Sequence, residues 1–191
     1  MDTRDRILDA GRHLFWERGY SATGLADILE RASARSGSFY HFFASKDDLL
    51  RAVLDVYVEA LEPVIVDPAV RAASDGLTRV FAILDGYRRS LLETNCTYGC
   101  PIGRLALEIE PANTQAMDLI AKNFMGWTKA VERLLVQERA RFRPDTNFAE
   151  LSQLVLTVME GGVMQARARR SIEPFDASVR QLRQYLSLLA K

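Results

Sequence analysis

The chain is poor in the residues that do covalent and metal chemistry. Of its 191 residues two are cysteine, Cys96 and Cys100, and two are histidine, His13 and His41. Two cysteines are too few for a disulfide scaffold, and their spacing lacks the paired clusters of a structural zinc site. No metal and no cofactor is therefore expected. A cysteine enzyme is disfavoured by the same scarcity: both histidines lie near the N-terminus, which leaves Cys100 without a local base. No apolar run approaches the roughly 20 residues of a membrane span. Met1 to Arg6 is charged rather than signal-like, so no membrane contact and a cytoplasmic location are expected. Net charge is absent too, with 25 basic and 25 acidic side chains, so bulk electrostatics select no partner. No internal repeat or low-complexity tract occurs, and no segment alternates as a half-buried strand would.

Helical periodicity is what remains. An apolar fraction of 48% with 26% charged residues suits a folded domain. Ile7, Leu8, Gly11, Leu14 and Phe15 share one face of a first helix, which Gly19 can end in a left-handed conformation. Thr23 offers a hydroxyl cap to a short second helix carrying Leu25, Ile28, Leu29 and Ala32. After a very short third helix, Ser45 with Asp48 opens a fourth, expected to run to about Leu61, where Pro63 and Pro68 disrupt it. Longer periodic segments follow at 75–93, 102–110, 114–141, 148–170 and 176–189, broken at Gly99-Cys100-Pro101, Pro111, Pro144 and Pro174.

Charge is distributed unevenly in one place. From Arg31 to Lys46 there are three basic residues and no acidic one, while Gly37 to Phe43 crowds four aromatics beside serine and histidine. Two short helices joined by a few residues make a helix-turn-helix. A second helix starting near Arg35 or Ser36 exposes Arg35, Ser36, Ser38, Tyr40 and His41, with Phe39, Phe42 and Phe43 packed inward. A face of donors free of carboxylates is what a phosphate-lined groove requires.

The run GYSATGLADILERASARSGSFYHFFASKDDLLRAVL, Gly19 to Leu54, resembles the N-terminal domain of TetR/AcrR-type transcriptional repressors in its Gly-Tyr, Thr, Asp-Ile, Ser-x-Gly-Ser-Phe-Tyr and Ser-Lys-Asp elements. The resemblance implies an all-α fold: a three-helix helix-turn-helix domain over 1–62 and a larger helical ligand-binding and dimerisation domain over 63–191. It implies DNA contacts by Thr23, Gly37, Ser38, Tyr40 and Lys46, joined by Arg35, Ser36 and His41 on the exposed face. Three positions depart from the pattern. Gly24 replaces a hydroxyl residue, Ser33 stands where the turn usually has glycine, and Arg35 replaces the serine that usually caps the recognition helix.

Further on, GCPIGRLALEI, Gly99 to Ile109, resembles a signature in which Arg104 stands for a usual asparagine. The expected partners are a double-stranded operator, a small hydrophobic effector and a second copy of the chain; the expected role is regulatory, not enzymatic. Effector contacts are expected on the stripes Phe81, Leu84, Tyr87, Leu91 and Phe124, Trp127, Val131, with Cys100 nearby; the alternative is that these stripes are core. The dimer is expected to use Val155, Val158, Met159, Gly162 and Val163 with Val179, Leu182, Leu186 and Leu189; the alternative is that they bury against their own core. A thiol-based sensor using Cys100, placed at a helix start by Pro101, is the second functional reading; the alternative is that Cys100 and Cys96 are packing residues.

Overall fold

Helix starts along the chain are marked by short polar side chains that take up free amides. Asp2 accepts from Asp5 N, Ser45 from Asp48 N, Asp75 from Thr78 N and Asn147 from Glu150 N, each at 2.8 to 3.2 Å. The computed structural model describes residues 2–190. Its helices are α1 (Thr3–Arg18), α2 (Leu25–Arg31), α3 (Ser36–Phe42), α4 (Lys46–Ala60), α5 (Asp67–Ala72), α6 (Gly76–Glu93), α7 (Pro101–Glu108), α8 (Thr114–Gln137), α9 (Phe148–Arg169) and α10 (Glu173–Leu189). Among the described residues the only extended pairing is an isolated antiparallel bridge between Phe142 and Ala190. The fold is all-α. No helix among the described residues is long and apolar enough to cross a membrane.

Proline behaves differently from expectation in two places. Pro63 does not stop the helical backbone after Ala60; Leu61–Val66 is π-helical, and α5 follows directly with Pro68 in its first turn. A π-turn shifts the hydrogen-bond register, which accommodates the missing amide of Pro63, and Pro68 stands just past the junction where the π-helix gives way to α5. Pro174, in a first turn where amides have no intrahelical partner, opens α10 rather than breaking the chain ahead of it, so α10 starts three residues earlier than the periodicity indicated. In the other direction, α8 ends at Gln137 and not Arg141, because Arg139–Arg141 tightens into a 3₁₀ turn.

Contacts divide the chain into two compact units, one of 1–59 with 100–124 and one of 60–99 with 125–191. The first therefore reaches beyond the boundary near residue 62 and takes in α7 and the start of α8. Its core joins Ile7, Leu14 and Phe15 of α1, Ile28 of α2, Phe39 of α3, Leu49, Leu50, Val53 and Leu54 of α4, Leu105 of α7, and Ile120 of α8. Gly11 lets α1 sit close on α4: a Cβ there would lie 2.8 Å from a Leu49 methyl. In the second unit α9 packs on α10, and both pack on α6. Arg88 of α6 holds Asp176 of α10 through two bonds of 2.8 and 3.0 Å.

Candidate nucleic-acid interface

The α2–α3 turn follows from its carbonyls. Ser33 N donates to Glu30 O and Ala34 N to Leu29 O, both at 3.0 Å, which is the Schellman ending of a helix. That ending needs a left-handed residue, and Ser33 supplies it at φ 48°. Arg35, extended at φ −93°, ψ 156°, then precedes α3. Phe39 is fully buried and Phe43 nearly so, one helical turn apart, which fixes the opposite face of α3 outward.

On that face Arg35, Ser36, Gly37, Tyr40 and His41 are exposed and Ser38 is half-buried. Tyr40 is 60% exposed and packs edge-on against Phe39. Phe42 is a correction: at the last position of α3 it is 39% exposed with the His41 ring against it, rather than packed inward with Phe39 and Phe43. Gly37 has no packing reason to be glycine. A Cβ there would meet nothing within 4 Å, although glycine in a helix costs about 1 kcal/mol relative to alanine.

Two expected DNA contacts are tied to the α1–α2 turn. Thr23 is buried, and its hydroxyl donates to Gly19 O at 2.6 Å and to Leu14 O at 3.3 Å. It secures the end of α1; α2 is preceded instead by Gly24, whose amide donates to Asp27 at 2.9 Å. Lys46 donates to Tyr20 O at 3.1 Å and Thr23 O at 3.0 Å, with its ammonium 4.1 Å from the centre of the Tyr20 ring. Lys46 is half-buried, so its ammonium is held at the α1–α2 turn by two carbonyls and the face of that ring. Tyr20 in turn donates to Asp47, and burial, followed by this bond, pushes its phenol far above the usual range. Arg4, absent from the expected set, places its guanidinium 5.6 Å from the Phe43 ring centre.

The other expected sites fall as follows. Cys100 and Phe124 belong to the first unit, whereas Phe81, Leu84, Tyr87, Leu91, Trp127 and Val131 belong to the second. Phe81, Leu84, Leu91, Trp127 and Val131 are buried, and Tyr87 is half-buried, accepting a 3.1 Å bond from Trp127 Nε1. Of the expected dimer residues Val155, Met159, Gly162, Val163, Leu182 and Leu186 are buried within their own unit, Gly162 because Phe175 of α10 lies 3.0 Å from where its Cβ would be. Val158, Val179 and Leu189 are half-buried. The open face of α9 and α10 is a groove of about 550 Å³ whose lining includes Leu154, Thr157, Gly161, Gln181 and Tyr185 together with Val158, Gly162 and Leu182 of the expected set.

Two short helices joined by a Schellman turn, the second anchored by Phe39 and presenting a carboxylate-free face, define a helix-turn-helix unit. Comparison with known proteins agrees along the chain. Residues 7–53 match the family described as bacterial regulatory proteins, tetR family, and residues 77–181 match the LmrA/YxaF-like transcriptional regulator C-terminal domain. The chain belongs to the TetR family of helix-turn-helix transcriptional regulators. It is 31% identical over 189 residues to an uncharacterised HTH-type transcriptional regulator of Mycobacterium tuberculosis, covering 96% of this chain and 93% of that protein. It is 27% identical to the HTH-type transcriptional repressor DhaR of Mycobacterium sp. strain GP1, covering 91% and 86%. Among solved structures, a cysteine mutant of the TetR family regulator CifR complexed with 26-bp operator DNA superimposes with a TM-score of 0.76 at 25% identity, covering 94% and 95%.

Proposed function

We infer that the chain is a repressor that binds a palindromic operator as a homodimer and leaves it when a small hydrophobic effector binds. The observation that carries this reading is the outward face of α3: exposed donors, no carboxylate, and a glycine at 37 that the chain's own packing does not explain. Inserted in a major groove, the start of α3 presents Arg35 and Ser36 to base edges, Gly37 lets the backbone approach, and Tyr40 and His41 address phosphate. One such short helix reads few bases, so a two-fold pair on an inverted repeat supplies the specificity.

The open groove of α9 and α10 fits a second copy. Gly161 lies in it with nothing within 4 Å of a built Cβ, so here too the missing side chain serves no contact within the chain. Leu154, Tyr185 and Leu188 stand beside it exposed. The effector role falls to α6 and the Trp127 side of α8, where the Trp127–Tyr87 hydrogen bond is a polar pair in apolar surroundings.

Cys100 supports a second trigger. It is the N-cap of α7, half-buried at φ −63°, ψ 125°, whereas Cys96 is buried and its thiol is pushed up by desolvation. Attack of a Cys100 thiolate on hydrogen peroxide would give a sulfenic acid and release hydroxide.

The test is selection of bound duplexes from a randomised library by the purified chain. An enriched inverted repeat is expected, and no enrichment overturns the reading. Mild peroxide added to that complex separates the triggers: release abolished by Cys100→Ser assigns the thiol, and release unaltered by that substitution, or none, leaves the non-covalent effector.

A further inference from the structure

The turn between α1 and α2 is gripped from a helix that lies more than eighty residues away in sequence. The guanidinium of Arg104, on α7, donates to three successive carbonyls at the end of α1: Trp16 O at 3.3 Å, Glu17 O at 3.1 Å and Arg18 O. Its Nε donates to Glu108 Oε1 at 2.7 Å, and Glu108 Oε2 accepts from Ser21 N at 3.2 Å. Both side chains are four-fifths covered. Between these contacts lies Gly19 at φ 89°, where a Cβ would come within 2.1 Å of the Glu108 carboxylate.

Three physical points show that the pair serves the turn. The last carbonyls of a helix have no partner within it and carry the negative end of its dipole, so a cation with several donors in one plane suits them. Only arginine offers that fork; a lysine ammonium is a point donor, and the asparagine usual at this signature position has two N–H groups. Glu108, by contrast, stands in the last turn of α7, where an acidic residue is unfavourable for its own helix. Its second oxygen finds its use on Ser21. From there the grip passes on: the buried Thr23 hydroxyl holds Gly19 O, Lys46 holds Tyr20 O and Thr23 O, and Gly24 starts α2.

We propose that Arg104 and Glu108 are positioning residues for DNA binding: α7 uses them to set the α1–α2 turn, and through it the aim of α2 and α3. The proposal rests on the reading of the chain as a DNA-binding regulator. Neither side chain touches DNA in this account, so their loss weakens recognition of a sequence more than attraction to phosphate. A displacement of α7, which Cys100 caps, reaches α3 by this route.

The experiment uses the full chain, the duplex enriched by wild type from a random library, and a scrambled duplex of equal length. Arg104→Met is expected to bind the enriched duplex about tenfold or more weakly, the scale of losing charge-assisted hydrogen bonds, with scrambled binding within about twofold. Amide exchange at Ser21 and Thr23 should quicken, and Arg104→Lys should recover part of both effects. Wild-type affinity in a folded Arg104→Met, or equal losses on the two duplexes, overturns the proposal. Should Arg104→Met fail to fold, Glu108→Gln carries the test: it keeps the shape, weakens the hold on Ser21 N, and must quicken Ser21 exchange and lower affinity for the enriched duplex. Wild-type values in Glu108→Gln overturn it. If wild type enriches no sequence, the DNA-binding reading fails before any variant is compared.

Discussion

Gly37 is the residue where stability and recognition part company. Alanine there gains helix propensity and meets no neighbour, so Gly37→Ala is expected to raise the unfolding free energy by up to about 1 kcal/mol while weakening DNA binding. Thermal denaturation and duplex titration on one preparation check both halves. Equal DNA affinity would show that nothing approaches the Gly37 backbone. Thr23 and Lys46 show where reading single residues reaches its limit. A hydroxyl and an ammonium satisfy a carbonyl as readily as a phosphate, and only the fold decides which is in reach. Both meet carbonyls of the α1–α2 turn. Tyr40 and His41 have no such carbonyl in the described contacts and remain on the surface.

At the scale of elements, the Schellman turn of α2 carries a measurable strain. A left-handed non-glycine residue costs roughly 1 to 2 kcal/mol, part of which glycine's own chain entropy offsets. Ser33→Gly should therefore stabilise the protein by about 0.5 to 1 kcal/mol in chemical denaturation, with the α2–α3 geometry and DNA affinity retained. A loss of stability would mean that the Ser33 side chain makes a contact worth more than the strain. Helices with a long apolar stripe, such as α6 and α9, were legible in the sequence almost to their ends, because periodicity and a polar cap coincide there. Proline was the misleading sign. Pro68 stands just past a junction between two helices and Pro174 opens one, and local composition does not encode where a proline falls relative to a helix start. Arg104 and Glu108 were legible as a motif but not as a grip, since their partners at residues 16–21 are brought close only by the packing of α7 on α1.

For the molecule as a whole, self-association is the property that exposed apolar side chains decide. Gly161→Leu and Tyr185→Glu alter side chains that face the groove rather than the core, so each variant should keep the wild-type melting cooperativity yet sediment as a monomer and lose most operator affinity. A dimer that persists in both would move the interface elsewhere. Of the expected dimer residues, Val158, Gly162 and Leu182 line that groove, while Val155, Met159 and Leu186 lie in the core of their own unit. The composition of the first unit has a consequence for synthesis. Its hydrophobic interior is completed by Ile102, Leu105, Ile109 and Ile120, which the ribosome makes only after all of Ala60–Gly99. At about 5 to 20 residues per second, the nascent α1–α4 segment waits for seconds with part of that interior uncovered. The interior of the helix-turn-helix unit is closed only once α7 and the start of α8 have left the ribosome.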